Sequence, residues 1–257
     1  MNGGLGRRRL LLAALAAGAL PHGARAGLVE VIAAARPSVL AVGVFDPRAS
    51  PRFGFRGTGF VVGDGNELMT CAHVLPEIPD SAVGVHLAVQ LPRSEQGLEM
   101  RRATLLRVDR EHDLALLRFD GAALPALTMA LPVAVREGLA IALVGFPIAG
   151  ALGFSTVTHR GIVSSITAIA PPMPTAGALN ARTVARLRQG SFDIYQLDAT
   201  AYPGNSGGPV LDAETGQVVG IVNLVLVRGT RESALSNPTG ITYAIPGRFA
   251  EALLRER

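Results

Sequence analysis

From about residue 39 onward the chain is a succession of short apolar or alternating runs, rich in Val, Leu and Ile and broken by Gly, Pro and Asp. Val39–Phe45, Thr58–Val62, Val83–Gln90, Ala103–Val108 and Leu114–Phe119 form a first set of candidate strands. Ala140–Phe146, Thr156–Ile166, Phe192–Leu197, Val218–Val227 and Ile241–Ile245 form a second. Frequent short runs with turn signals between them predict barrels or a sandwich rather than alternating βαβ units. Leu124–Glu137, which contains Pro125 and Pro132, separates the two sets and reads as an interdomain connection. Residues 170–190 carry Pro171, Pro172 and Pro174, then a helix-compatible stretch, Ala181–Gln189, and read as a surface loop. Only Gly247–Arg257 has the look of a short terminal helix. With 257 residues and 49% hydrophobic content, the chain can build one large domain or two small ones around a substantial core.

The N-terminus has a different character. Arg7-Arg8-Arg9 precedes an apolar run from Leu10 to Leu20 and then Ala24-Arg25-Ala26. A basic start, a short apolar core and an A-x-A exit predict that residues 1–26 are an export signal cut after Ala26. The run is shorter than the ~20 residues of a spanning helix, so an uncleaved anchor is the weaker reading. Arg7-Arg8 with Leu10-Leu11 behind it also suits the twin-arginine export route. The expected destination is the periplasm or the exterior, with no membrane association beyond export. Four of the 24 basic residues lie in this segment and none of the 20 acidic ones does, leaving 20 against 20 afterwards. The apparent basicity therefore belongs to the signal and argues for no nucleic-acid partner. A single cysteine, Cys71, excludes an internal disulfide, so the domain must rest on its core.

The strongest local signal for chemistry is Gly204-Asn205-Ser206-Gly207-Gly208-Pro209. A nucleophilic serine needs a tight turn that exposes its hydroxyl, with backbone N–H groups aimed at one spot to hold an oxyanion. Flanking glycines permit such a turn, although a glycine-rich connection between two strands reads the same way. The segment also fits G-x-S-x-G, the elbow of α/β-hydrolases, whose triad order is Ser, acid, His. All five histidines (His22, His73, His86, His112, His159) precede Ser206, which rules that fold out. The order His, Asp, Ser remains. His73 follows a strand-like run ending in Thr70-Cys71-Ala72, and Asp113 opens the apolar run Asp113-Leu114-Ala115-Leu116-Leu117. An acid at the mouth of such a strand could hold a neutral imidazole in one tautomer, or simply cap the strand. His86 reads as a surface or rim residue, and His159 as lying near the second barrel's surface. On an extended chain His112 should face away from Asp113. No His, Cys and Asp spacing argues for a metal site, and no cofactor is expected.

Gly57-Thr58-Gly59-Phe60-Val61-Val62, Thr70-Cys71-Ala72-His73-Val74 and Asp113-Leu114-Ala115-Leu116-Leu117 resemble the trypsin-like serine proteases of the HtrA/Deg type. So do Val144-Gly145-Phe146-Pro147, Gly161-Ile162-Val163-Ser164, the segment from Asp198 to Pro209, and Tyr243-Ala244-Ile245-Pro246. These matches occur in order from about residue 39 to 246. The resemblance implies an all-β fold of two six-stranded antiparallel barrels (chymotrypsin/trypsin-like) and a short C-terminal helix, with the active site in the cleft between barrels. A protease domain over 27–257 would then hold an N-terminal barrel at about 36–122 and a C-terminal one at about 138–247.

Carried over residue by residue, the resemblance makes Ser206 the nucleophile, His73 the general base and then acid, and Asp113 the group that orients the imidazole. The N–H groups of Gly204 and Ser206 would form the oxyanion hole, with Asn205 shaping the turn. Thr200 and Ala201 match a wall of the primary pocket, and Asn223-Leu224-Val225 a second wall that pairs with substrate backbone. None of these is acidic, so small or aliphatic residues rather than Arg or Lys are expected at the cleavage point, with Tyr202 and Pro203 narrowing access. The implied activity is an exported serine endopeptidase acting on polypeptides, unfolded protein among them; the alternative is a protease-like fold kept for binding, with weak or no catalysis.

Family members commonly continue into a PDZ module, whereas only about ten residues follow Pro246 here, so peptide capture by such a module is not expected. The stretch Asp80–Glu99 reads as longer than in compact relatives. Monomer and trimer both stay open. Cys71, two residues before His73, is a candidate nucleophile, half of a metal site, or packing; with Ser206 supplying a nucleophile it reads as a small buried hydrophobe beneath the histidine.

Overall fold

The computed structural model describes residues 27–92, 97–130, 135–147, 153–168, 192–224 and 240–256. The export-signal reading, the 170–190 loop and Val225 lie outside these residues. Among these residues, twelve strands close into two antiparallel barrels. The first is ordered β1(Val39–Phe45), β2(Phe53–Val62), β3(Glu67–Cys71), β6(Leu114–Phe119), β5(Met100–Asp109), β4(His86–Gln90), with β4 returning to β1. The second runs β7(Ala140–Gly145), β8(Val157–Ala168), β9(Asp193–Asp198), β12(Ile241–Pro246), β11(Val218–Val222), β10(Pro209–Asp212), with β10 returning to β7. The two barrels thus share one topology: three strands in succession, then the next three in reverse. This is the all-β, double six-stranded barrel of the chymotrypsin type.

Two short strands escape a reading by periodicity. Glu67–Cys71 and Pro209–Asp212 span five and four residues, too few for alternation to register, and almost every position in both is buried. At Val83–Val85 the expected strand is absent: Val83 and Val85 donate to the Ser81 and Ala82 carbonyls in a turn, and β4 begins only at His86. The structure adds a helix, α1(Leu28–Ala35), that the sequence pattern does not predict. It buries only Val31 and Ala35, so its apolar face is too narrow to stand out beside the alanines that surround it.

The barrels are joined through packing as well as sequence. One apolar cluster fills the first barrel with Leu40, Phe60, Leu68, Leu116 and Phe119, and continues through Val144, Phe146, Leu211 and Ile221 of the second. Between β6 and β7 the described residues of the connection are tied to both barrels. The N–H groups of Leu124 and Leu127 bond to the Gly65 and Val61 carbonyls, and Met129 then bridges to Val218. The terminal helix α2(Gly247–Arg255) sets Ala250 and Leu253 into the core, and Arg107 of β5 donates to the carbonyls of Leu253 and Leu254. That guanidinium satisfies carbonyls the last helical turn would otherwise leave open. Among the described residues no helix is long and apolar enough to cross a membrane.

Candidate active site

Each barrel delivers its polar groups from one antiparallel strand pair. In the first barrel β3 pairs with β6, and the last rung is Cys71 opposite Leu114. His73 follows this rung in a single 3-10 turn, Ala72–Val74, and Asp113 immediately precedes it. The ladder therefore carries the two side chains to one place, although 40 residues separate them.

The turn entering β6 aims the carboxylate. Asp109 Oδ1 accepts the N–H groups of Glu111 and His112, both at 3.0 Å, forming an Asx turn. Asp113 then adopts φ 56°, alone among the described non-glycine residues in that region. Asp tolerates this conformation better than most residues, and a strained position at a functional site is common. His112 consequently does not project from an extended chain. Its Nδ1 meets Asp109 Oδ2 at 2.6 Å and its ring stacks on Phe249 at 3.8 Å, fastening the turn to α2.

With the turn so fixed, Asp113 takes three hydrogen bonds. Oδ1 accepts the His73 backbone N–H at 2.9 Å, and Oδ2 meets His73 Nδ1 at 2.5 Å. Asn223 Nδ2 donates to the same Oδ2 at 2.7 Å. A carboxylate only accepts, so the imidazole proton belongs on Nδ1 and the lone pair on Nε2. The His73 and Asp113 side chains are each about a quarter exposed, at 25% and 26%, open to a reactant yet shielded on one side.

The second barrel contributes the rung Pro209 opposite Ile221, where β10 pairs with β11. Ser206 lies just before β10, and Asn223 and Leu224 just after β11. Tyr202-Pro203-Gly204-Asn205 form a β-turn closed by the Asn205 N–H on the Tyr202 carbonyl at 3.0 Å. Proline at its second position and Gly204 at φ +106° in its third are the residues a type II turn requires. Gly207 is also at positive φ, and any Cβ there would overlap the Thr58 carbonyl and the Thr70 hydroxyl. Its N–H donates to the Val222 carbonyl, while Gly208 closes back on the Asn205 carbonyl, both at 2.9 Å. The N–H groups of Gly204 and Ser206 have no acceptor among the described residues. Two uncommitted donors beside a serine can hold a developing oxyanion.

The two contributions lie within one residue of each other along β11's exit. Asn223 touches Asp113, and the next N–H, that of Leu224, reaches Ser206 Oγ at 3.4 Å. Ser206, only 7% exposed, makes no hydrogen bond to His73 among the described contacts. Thr200, Ala201 and Tyr202 are half-buried on the loop from β9 to the serine turn. Asn205 is buried, and its carboxamide has no partner among the described residues.

Asn223, expected beside the primary pocket, is buried, and its side chain donates to Asp113. An asparagine directly after five buried apolar residues was the available signal, since a buried amide demands a partner. The rim reading of His86 fits its tilted contact with Phe45, at 5.0 Å. His159 is half-buried, its Nε2 has no described partner, and burial lowers its pKa.

Donor atoms of Cys71, His73 and Asp113 lie within 4.8 Å of one another. The thiol, however, donates to the Val222 carbonyl at 3.4 Å, and complete burial together with the Asp113 charge pushes its pKa well above the usual thiol range. A metal needs the thiolate, and Asp113 is already committed to His73 and Asn223. The cluster is an acid–imidazole pair resting on a protonated thiol.

The trypsin-like peptidase domain model matches residues 57–221. A probable periplasmic serine endoprotease DegP-like from Halomonas elongata is 28% identical over 194 residues, covering 74% of this chain and 32% of that protein. The mitochondrial serine protease HTRA2 of Drosophila pseudoobscura is 25% identical, covering 88% of this chain and 46% of its own. The chain thus spans from about a third to somewhat under half of the length of these relatives. Among solved structures, an HtrA-type protease with a bound tripeptide superimposes with a TM-score of 0.61 at 23% identity, covering 90% of this chain and 63% of that one. A serine endoprotease from Yersinia pestis gives 0.59, with 89% and 65% covered. The double barrel, the His–Asp pair on one side, the serine turn on the other and these likenesses converge: the chain belongs to the trypsin-like peptidase domain family, and its relatives and structural neighbours are of the HtrA/DegP type.

Proposed function

We propose that the chain is a serine endopeptidase that hydrolyses peptide bonds of polypeptides, unfolded ones included. The observation that carries this reading is the carboxylate–imidazole pair of one barrel meeting the serine turn of the other, with Asn223 and Leu224 touching both. Ser206 Oγ attacks the scissile carbonyl carbon while His73 Nε2 takes its proton. Asp113 holds the imidazole in the Nδ1–H tautomer and stabilises the imidazolium that forms. The N–H groups of Gly204 and Ser206 bind the tetrahedral oxyanion. His73 returns its proton to the leaving amine, and water then deacylates Ser206 by the same steps.

Substrate lies as an added strand beside Asn223, Leu224 and Val225. The uncharged walls at Thr200 and Ala201 favour small or aliphatic residues at the cleavage point, and Tyr202 limits their size. Residues 1–26 act as an export signal, consistent with relatives named as periplasmic. Replacing Arg7 and Arg8 by Lys separates a twin-arginine route, which stops, from the general route, which continues.

The test is digestion of a permanently unfolded protein by wild type, Cys71→Ala and Ser206→Ala. We expect the first two to cleave after aliphatic residues and the third to be inert. No cleavage by wild type, or equal cleavage by Ser206→Ala, favours the binding-protein reading or another nucleophile.

A further inference from the structure

The serine turn is gripped from the opposite barrel by one threonine. Thr58 of β2 is completely buried, and all its polar atoms are engaged. Its N–H donates to the Ser206 carbonyl at 2.9 Å and its Oγ1 donates to the Gly204 carbonyl at 2.6 Å. The same Oγ1 accepts the Phe146 N–H at 3.1 Å, and the Thr58 carbonyl accepts the Thr70 hydroxyl at 2.7 Å. A carbonyl cannot donate, so the hydroxyl proton must point at Gly204.

We propose that the Thr58 hydroxyl is a positioning group for the oxyanion hole, fixing Gly204 from the barrel that carries His73. The proposal rests on the reading of Ser206 as nucleophile. Gly204 supplies one of the two uncommitted N–H groups, and a glycine at positive φ has unusual freedom to rotate. Its following peptide is held at both ends: the carbonyl by Thr58 Oγ1, the Asn205 N–H by the Tyr202 carbonyl. Ser206 bears the other N–H, and its own carbonyl is held by the Thr58 backbone. One residue thereby restrains the peptides flanking both donors. It also ties them to β3, which leads to His73, because Thr70 of that strand secures the Thr58 carbonyl. Donors must sit within a few tenths of an ångström of the developing charge to be worth their full effect. Substrate binding in the ground state uses other groups, so the hydroxyl should be felt mainly in the transition state.

The experiment compares wild type, Thr58→Val, Thr58→Ala and Thr58→Ser in the full chain, with Ser206→Ala as control. Three quantities are read: kcat and KM on an aliphatic peptide substrate, the inhibition constant of the matching peptide boronic acid, and the binding of the uncleaved product peptide. Ser206 Oγ adds to the trigonal boron while His73 takes the hydroxyl proton, giving a tetrahedral boronate that uses the oxyanion hole. For Thr58→Val and Thr58→Ala we expect kcat to fall and the boronate constant to rise together, each by about 10- to 100-fold. KM and product binding should change less than about threefold, and Thr58→Ser should recover most of kcat.

Unchanged kcat and boronate affinity in Thr58→Val overturn the proposal. So does an equal loss of product and boronate binding, which a general loosening of the fold would cause, or a Thr58→Ser enzyme as impaired as Thr58→Val. If Thr58→Val does not fold, Thr58→Ala and Thr58→Ser decide by the same ratios. A Ser206→Ala enzyme as active as wild type instead overturns the underlying reading of the nucleophile.

Discussion

The two barrels share one strand order, yet they hold their share of the site in opposite ways. In the first, the β3–β6 pair delivers two side chains, His73 and Asp113, that bond directly to each other through both backbone and ring nitrogen. In the second, the β10–β11 pair delivers a turn whose chemistry resides largely in backbone N–H groups. Its carbonyls are gripped from across the cleft by Thr58. The first half is held from within its own barrel, with Asn223 as an outside brace; the second adds to its own turn bonds a grip from its neighbour. Topology alone therefore does not make a site. It brings loop ends to the cleft, and local residues decide whether those ends carry a base, an acid or an oxyanion turn.

Breaking the first half at its centre should be most costly. His73→Ala removes the proposed base, and a loss of turnover on the order of 10⁶-fold is expected from initial rates on a peptide substrate. Asp113→Asn keeps the shape but favours the wrong tautomer, and its turnover should drop about 10⁴-fold. A drop of less than tenfold would show that the carboxylate merely caps the strand. Asn223→Ala removes one charge-assisted bond from Asp113. Such bonds contribute roughly 1.5–3 kcal/mol, which corresponds to about a 10- to 100-fold fall in kcat with KM nearly constant. An effect on KM alone would return Asn223 to the pocket wall.

The smallest effect should come from Cys71. Cys71→Ala should keep turnover within about threefold and lower thermal stability by on the order of 1 kcal/mol, through lost packing and the lost bond to Val222. Burial and the Asp113 charge raise its pKa, so the folded protein should resist iodoacetamide at neutral pH and react only once unfolded. Rapid alkylation of native protein with parallel loss of activity would mean a thiolate at the site.

Much of this arrangement is legible in the residues, for physical reasons that can be named. Long strands such as β1 and β6 announce themselves because uninterrupted apolar runs bounded by turn residues have few other fates. The glycines around Ser206 mark a tight turn because few other residues could occupy Gly204 or Gly207. The four-residue β10 does not announce itself, being too short to show a period. The Asn223–Asp113 bond is only half legible: an asparagine after a buried apolar run demands a partner, but nothing local says that the partner lies 110 residues away. Thr58 falls between these cases. Its G-T-G motif stands out as a resemblance, but its grip on the serine turn depends on how two barrels meet, which no single strand encodes.

The central claim is that Ser206 is the nucleophile served by His73. The most direct measurement is covalent labelling of the full chain by a fluorophosphonate, followed by intact mass and peptide mapping. The account predicts one adduct on wild type, located on Ser206, with none on Ser206→Ala and labelling of His73→Ala slowed by orders of magnitude. An unlabelled wild type, an adduct on Cys71 or another residue, or labelling that survives in Ser206→Ala would contradict it.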